Sequence, residues 1–219
     1  MNPRNFYNQT AGLYEERHKS PWFHLVRKKE TEIIERFKKG KTLDLGCGTG
    51  YHMKHADVGV DISEEMLKGI DNNVRVMDGE KLDFPDNSFD TVLCILSVLN
   101  LCEDHKKMVS EIRRVLKPNG RIILSVSSIY DQPKPTKEDV QIKNIITNKL
   151  KCKINLFSKK YMEELFQMKL IHFDSIFSSL KPKWADWTPL TKEQESILEK
   201  ERPSERGRMY FFVFLRTKA

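Results

Sequence analysis

Residues 43–50 read Leu-Asp-Leu-Gly-Cys-Gly-Thr-Gly, and this stretch decides the fold. A short apolar run ends at Gly46, where a loop begins with glycine at every second position. Glycines permit positive φ angles and let the main chain approach a ligand closely. A strand that runs into such a loop is typical of the ligand-binding edge of a parallel sheet. A dinucleotide loop would read GxGxxG, but here the spacing is GxGxG and Tyr51 stands where the third glycine would be.

The residues around this loop alternate between strand and helix patterns. A helix is predicted to open at Ser63, whose side chain would cap it, and another is predicted over 106–116, where apolar residues recur at helical spacing. Five strands are predicted, at 42–45, 57–61, 73–77, 89–96 and 121–126. This alternation predicts a doubly wound α/β fold, with a mostly parallel sheet and helices on both faces. Ligands bind such sheets at the carboxyl ends of the strands.

The flanks have a different organisation. Residues 1–40 are predicted to form a helical N-terminal cap, and residues 41–219 are predicted to form the α/β domain with a cap insertion at 131–160. In the insertion, Thr136 and Asp139 have capping-box spacing, which predicts a helix near 137–150.

The C-terminal part is predicted to complete the sheet. A helix is expected over 158–168, and strands at 170–180 and 209–217 are expected to pair antiparallel at one sheet edge. The long loop between those strands contains Trp184 and Trp187, which either pack at the edge or serve as stacking platforms for bases.

Composition places the chain among globular proteins. It has 219 residues, of which 39% are hydrophobic and 32% charged. No apolar run approaches the roughly 18 residues that a membrane span needs, and the N-terminus lacks an apolar signal core. The four cysteines form no CxxC pair, so no metal site is predicted. We therefore expect a soluble cytoplasmic protein with reduced thiols and no membrane partner.

Charge is distributed unevenly along the chain. The formal net charge of +7 divides into +4 over residues 1–40, −3 over 41–130 and +6 over 131–219. Basic flanks indicate either a solvated, lysine-rich surface or an anionic partner such as RNA.

Acidic residues follow several predicted strands. Asp44 precedes the glycine loop and suits a cationic or neutral ligand better than a pyrophosphate. Asp61 ends the second strand, where a carboxylate can accept hydrogen bonds from both hydroxyls of a ribose. Asp78 and Gly79 follow the third strand, and an acceptor next to a backbone N–H can read the edge of adenine. Together these positions predict a nucleoside site.

At this point the sequence resembles a known family, the class I S-adenosylmethionine-dependent methyltransferases, and specifically their type 11 group. The resemblance is strong over residues 41–126. It is carried by the glycine loop 43–50, by Gly-Val-Asp-Ile-Ser at 59–63, by Asp-Gly at 78–79, by Pro-Asp-Asn-Ser-Phe-Asp at 85–90 and by Glu-Ile-Arg-Arg-Val-Leu-Lys-Pro-Asn-Gly at 111–120. It implies a seven-stranded, Rossmann-like sheet whose last strand is antiparallel, and S-adenosylmethionine as the cofactor.

The resemblance also implies roles for individual residues. Asp61 would hold the ribose, Asp78 and Gly79 would meet the adenine, and Ile62 and Leu96 would sandwich its ring. The other residues implied in the cofactor site lie in the loop, on the strand-four exit and in the cap: Asp44, Gly46, Cys47, Gly48, Gly50, Ser97 and Tyr14. The glycines would pass under the methionine part, Ser97 would line the pocket and Tyr14 would help to close it.

The sequence leaves the methyl acceptor open. A small molecule that enters between the cap and the 131–160 insertion is favoured, and a tRNA-type RNA is the alternative. Residues 96–99 read Leu-Ser-Val-Leu, which lacks the Asp/Asn-Pro-Pro-aromatic motif of amino-methylating DNA enzymes, and Leu99-Asn100 replaces the His pair of some tRNA-modifying relatives. A non-catalytic protein that keeps the fold and a nicotinamide-dependent dehydrogenase are two further hypotheses.

The sequence assigns no catalytic base. Four candidates stand in the cap and at the rim of the predicted site: His18, His24, Asn100 and Tyr130. The oligomeric state is likewise not predicted.

Overall fold

A computed structural model describes residues 1–17, 19–71, 73–132, 134–147, 149–180, 182 and 188–217. The helices are α1 (Pro3–Arg17), α2 (Pro21–Phe37), α3 (Glu64–Leu67), α4 (Val98–Leu101), α5 (His105–Val115), α6 (Lys159–Phe166) and α7 (Lys192–Glu199), with a 3-10 turn at Met53–His55. The strands are β1 (Thr42–Leu45), β2 (Val58–Asp61), β3 (Val74–Val76), β4 (Phe89–Cys94), β5 (Leu116–Ser127), β6 (Val140–Thr147), β7 (Leu150–Phe157), β8 (Lys169–Ile176) and β9 (Met209–Leu215).

Seven of these strands form one sheet in the order β3-β2-β1-β4-β5-β9-β8. The first five run parallel, and β9 pairs antiparallel with both β5 and β8. The prediction of a doubly wound, mostly parallel α/β sheet is therefore confirmed. Because β1 to β4 are parallel, the loops that follow them meet at one edge of the sheet.

Helices with an apolar stripe cover the two faces of the sheet. Asp104 caps α5 by accepting from the backbone N–H groups of Lys106 and Lys107, both at 3.0 Å. Its buried stripe packs with α6 on one face of the sheet, whereas Val26, Ile33 and Ile34 of α2 pack on the other face. The predicted cap at Ser63 is present, since its Oγ accepts from the N–H of Met66 at 3.3 Å.

The predicted helix near 137–150 is wrong. This stretch is an antiparallel hairpin of β6 and β7, and it stands apart from the main sheet. The strand β6 reads Val-Gln-Ile-Lys-Asn-Ile-Ile-Thr, which is rich in β-branched residues that favour extended backbone. The acidic residue of the expected capping box has another partner, because Asp139 Oδ1 accepts from Ser158 Oγ at 2.5 Å.

The C-terminal elements agree with the sequence. Helix α6 lies within the predicted 158–168, and β8 pairs antiparallel with β9 as expected. The connection between them contains α7, which begins at a capping box formed by Thr191 and Gln194. Trp184 and Trp187 lie outside the described residues, so their predicted role stays untested.

Among the described residues, no helix has the length and apolar character that a membrane crossing requires. The four cysteines are free thiols, and three of them are buried. The division into a cap at 1–40 and a domain from 41 onward stays a prediction, although α2 packs on the sheet and α1 lies over its carboxyl edge.

Candidate cofactor site

The loop after β1 bonds back onto β2. The backbone N–H groups of Gly46 and Cys47 donate to the carbonyl of Val60 at 2.7 and 3.0 Å. Gly46 has φ +73°, and a Cβ at this position would lie 2.4 Å from a methyl group of Val98. Gly48 has φ +53°, so both glycines adopt a left-handed conformation that other residues rarely adopt. Gly46 and Gly48 therefore line the site with their main chain.

Asp61 connects the glycine loop to the next helix. Its Oδ2 accepts from the N–H of Gly48 at 2.9 Å, and its Oδ1 accepts from the N–H of Ser63 at 2.8 Å. Burial raises the pKa of this carboxyl, and the backbone donors oppose that effect. Each carboxylate oxygen has more than one acceptor position. Asp61 can therefore hold the loop in place and still accept hydrogen bonds from a ligand in the adjoining cavity.

A cavity of about 250 Å³, which we call the first cavity, lies at this edge between the loops and α1. At its far end, Asp78 Oδ1 accepts from the N–H of Glu80 at 2.9 Å. A Cβ on Gly79 would lie 2.8 Å from Met108 Cε and 3.0 Å from Leu45 Cδ1, so the main chain at Gly79 packs closely on these two side chains. The site thus has one carboxylate at Asp61 and a second at Asp78, and the side chains of Met66, Met77 and Met108 also line it.

Eight of the twelve residues predicted from the sequence line the first cavity: Tyr14, Gly46, Gly48, Asp61, Ile62, Asp78, Gly79 and Leu96. The other four do not. Asp44 and Cys47 are buried beneath the loop, Gly50 packs toward Ile70, and Ser97 lines a neighbouring cavity. Sequence reasoning missed Tyr7, Met66 and Met108, which also line the first cavity. The apolar position of Met66, in the helix that follows Asp61, was the available signal.

Asp44 is a buried carboxyl next to the site. It is 2% exposed, and burial raises its pKa to about 7. The charge of Arg27 opposes this shift, while the carboxylates of Asp61 and Glu30 add to it. Asp44 therefore carries a proton for part of the time near neutral pH, which the sequence did not reveal.

A buried polar network supports the site from below. Glu30 of α2 is 1% exposed; its Oε2 lies 3.2 Å from both Arg27 Nη1 and His52 Nε2, and its Oε1 accepts from Ser125 Oγ at 2.7 Å. Burial alone would raise the pKa of Glu30, but Arg27 and the hydrogen bond from His52 outweigh burial and lower it. The carboxylate is therefore charged, and it joins α2 to the 3-10 turn and to β5.

This network reaches the turn that follows β4. Leu96 and Ser97 have φ +56° and +66°, a left-handed conformation that is unfavourable for non-glycine residues. The N–H of Leu96 donates to Ser125 Oγ at 2.6 Å, and the N–H of Ser97 donates to the Ser125 carbonyl at 3.0 Å. Glu30 thus orients the serine that holds a strained part of the cavity wall.

A second cavity, of about 600 Å³, adjoins the first. Both cavities are lined by Tyr7, Tyr14, Leu96 and Leu101, so they meet at the turn after β4. The remaining walls of the second cavity come from α1, Phe23, the end of β5 and the β6–β7 hairpin. Only the fold brings these segments together.

None of the three candidate bases that the structure describes has the position of a general base. Asn100 Nδ2 donates to the carbonyls of Ser127 and Asn155 at 2.9 and 2.6 Å, and its Oδ1 accepts from the N–H of Ser127, so it clamps strands together. His24 is exposed, Tyr130 is half-buried and lines neither cavity, and His18 lies outside the described residues.

Comparisons with known proteins agree with this geometry. A family model described as a methyltransferase domain matches residues 43–124. An uncharacterised protein of Methanocaldococcus jannaschii is 34% identical over 212 residues, which are 92% of this chain and 76% of that protein. A ubiquinone/menaquinone biosynthesis C-methyltransferase of Paraburkholderia phytofirmans is 36% identical over 111 residues, or 42% of this chain and 45% of its own length. The chain thus spans less than half of that named relative.

The fold has counterparts among solved structures. An S-adenosylmethionine-dependent methyltransferase from Thermotoga maritima superposes with a TM-score of 0.67 at 15% identity, covering 97% of this chain and 99% of that one. The fold and the cavity define a class I methyltransferase, the Rossmann-like class of enzymes whose cofactor is S-adenosylmethionine. Within that class, the chain belongs to the type 11 methyltransferases.

Proposed function

We propose that this chain binds S-adenosylmethionine in the first cavity and transfers its methyl group to a small molecule. The observation that carries the proposal is the position of Asp61, which borders the cavity while it holds the glycine loop through Gly48. The residues fit the cofactor, because a ribose needs an acceptor pair, an adenine needs an acceptor beside a flat apolar slot, and the methionine part needs bare main chain.

Each residue would have a defined task in the reaction. The sulfonium of the bound cofactor supplies an already activated methyl group. Asp61 would hold the ribose, and Asp78 would accept from the adenine amine. Ile62 and Leu96 would pack on the two faces of the ring, and Tyr14 of α1 would cover the site and exclude water. Alignment of this kind can supply about 7–11 kcal/mol of the barrier reduction. No residue is assigned as a base, because neither His24 nor Tyr130 lines either cavity and Asn100 is engaged with the main chain.

RNA remains the alternative acceptor, and the basic flanks are the observation in its favour. Transfer of labelled methyl groups from S-adenosylmethionine to a cell extract, with and without nuclease, separates the two hypotheses. Nuclease-resistant label in the metabolite fraction supports a small molecule. Nuclease-sensitive label, with protein retention on RNA that weakens steeply as salt rises, supports RNA.

Calorimetry tests which cofactor the chain binds. S-adenosylhomocysteine, the spent cofactor, is expected to bind with one site per chain, and NAD is expected not to compete. Binding of NAD in preference would support a dehydrogenase. Binding of neither would leave a non-catalytic protein with the same fold.

Proton release on cofactor binding is a further prediction. Asp44 has a pKa of about 7, and a cationic ligand group above the loop would lower that pKa, so binding should expel a proton. Because the deprotonated form binds better, affinity should rise by up to about tenfold between pH 6 and pH 8. Calorimetry in buffers of different ionisation enthalpy measures the released proton. Asp44→Asn should flatten the pH dependence, and a pH dependence that persists in this variant would contradict the assignment.

A further inference from the structure

The second cavity opens directly onto the candidate cofactor site. It meets the first cavity at Leu96, where the hydroxyls of Ser97 and Ser127 lie 3.0 Å apart and both line the second cavity. Either hydroxyl can donate or accept, so the pair can orient one polar group of a ligand at this junction. The chemistry of the remaining walls then decides which acceptor fits.

The remaining walls of the second cavity are mainly apolar, both in the interior and at the solvent-exposed rim. Phe23, Ile145, Ile154 and Met209 line the interior. At the rim, Leu13 is 41% exposed and Ile146 is 68% exposed, and both line the cavity. Large aliphatic side chains at a solvent-exposed rim are typical of a binding surface that receives an apolar ligand.

The charged residues of this cavity do not favour an anion. The ionic side chains among its described lining residues are Glu16, Asp131 and Lys143, and Glu16 Oε1 is itself paired with Lys19 Nζ at 2.6 Å. Lys143 Nζ lies 2.8 Å from Asp131 Oδ2 and 2.6 Å from the Asp131 carbonyl, so its charge is already compensated. Phosphate recognition depends on free cationic side chains that displace counterions from the phosphates, and the described lining offers none. The exposed Lys151 and Lys153 lie on the hairpin and line neither cavity.

We propose that the second cavity binds the methyl acceptor and that this acceptor is a predominantly apolar, non-anionic small molecule. The inference rests on the proposed methyltransferase function and narrows its substrate class. The apolar body packs between α1 and the β6–β7 hairpin, and the group that receives the methyl lies at the Ser97–Ser127 junction. Because the one cation of the described lining, Lys143, is already paired with Asp131, an RNA phosphate would find no free cation there, and this disfavours an RNA acceptor in this cavity.

Two fluorescent probes that differ by a single anionic group test the class of ligand. N-phenyl-1-naphthylamine is uncharged, and 8-anilino-1-naphthalenesulfonate adds a sulfonate to the same aromatic frame. The uncharged probe should bind at one saturable site. The anionic probe should compete for that site at least tenfold less effectively than a non-fluorescent, uncharged analogue does. Equal or better displacement by the anionic probe would overturn the proposal.

Two isoleucines of strand β6 provide a matched pair of variants that locates the probe. Ile146 lines the second cavity, whereas Ile142 is 65% exposed and does not line it. Ile146→Asp should weaken binding of the uncharged probe by at least fivefold, and Ile142→Asp should leave it unchanged. Equal effects of the two substitutions, or none, would contradict the assignment of the site.

Calorimetry with S-adenosylhomocysteine separates this inference from the broader proposal. Both isoleucine variants should bind S-adenosylhomocysteine as the parent does, because neither residue lines the first cavity. Loss of apolar-probe binding with intact S-adenosylhomocysteine binding supports the second cavity as a separate acceptor site. Absence of S-adenosylhomocysteine binding in the parent chain would refute the methyltransferase function itself, whatever the probes do.

Discussion

Asp61→Asn is expected to weaken S-adenosylhomocysteine binding by about 100-fold or more, because hydrogen bonds to a charged group contribute roughly 1.5–3 kcal/mol each. In the parent chain, the two carboxylate oxygens accept from the N–H groups of Gly48 and Ser63. The amide of an asparagine must turn its NH₂ group toward one of these donors. The substitution therefore disturbs the glycine loop and also removes the charge that would hold the ribose.

Asp57 supplies a matched control for this experiment. It precedes the amino end of β2, and its Oδ2 accepts from the N–H of Thr42, the first residue of β1, at 2.7 Å, so it makes the same kind of carboxylate-to-backbone hydrogen bond away from the cavity. Asp57→Asn should lower the unfolding midpoint and leave binding within a factor of two. Calorimetry measures the affinity of both variants for S-adenosylhomocysteine. An equal loss of affinity in both would mean that Asp61 acts on stability alone.

Glu30→Ala is expected to destabilise the protein by about 3–5 kcal/mol, because it leaves the buried guanidinium of Arg27 without its carboxylate. It also removes the partner of Ser125 Oγ, which holds the left-handed turn at Leu96. Urea unfolding measures the loss. The folded fraction of Glu30→Ala should also bind S-adenosylhomocysteine more weakly than the parent chain does, because Leu96 of this turn lines the first cavity.

Glu32, on the same helix, is the control for Glu30. Its carboxylate lies 3.8 Å from Lys29 Nζ, and its side chain is 52% exposed, so solvent screens the pair. Glu32→Ala should change the free energy of unfolding by less than about 1 kcal/mol. If Glu30→Ala costs no more than Glu32→Ala, the buried network does not support the fold in the way described.

The candidate site illustrates what local sequence can determine. The glycine loop, Asp61 and Asp78 each stand at the end of a strand or within two residues of it, and each strand has a pattern that a few residues reveal. Parallel pairing brings those strand ends to one edge. Eight of the twelve predicted residues consequently line one cavity. The four that do not, including Asp44 and Cys47, lie in the same segments, but the direction of a side chain depends on neighbours that the sequence does not display.

The hairpin shows why a local signal can mislead. The spacing of Thr136 and Asp139 matched a helix cap, but Asp139 bonds to Ser158, nineteen positions along the chain. Strand β6, with its β-branched residues, pairs antiparallel with β7 across the hairpin. A pairing between strands outweighed a short capping pattern, because its hydrogen bonds and packing extend over eight residues on each side.

The amino-acid sequence by itself determined the sheet, its alternation with helices and the loop that identifies the cofactor class, because those features repeat at short spacing. The tertiary structure alone decided the buried Glu30 network, which joins α2 to a serine 95 positions away, and the second cavity, which combines α1, β5 and the hairpin. Contacts between such distant segments arise from packing of whole elements, and no spacing within one segment encodes them.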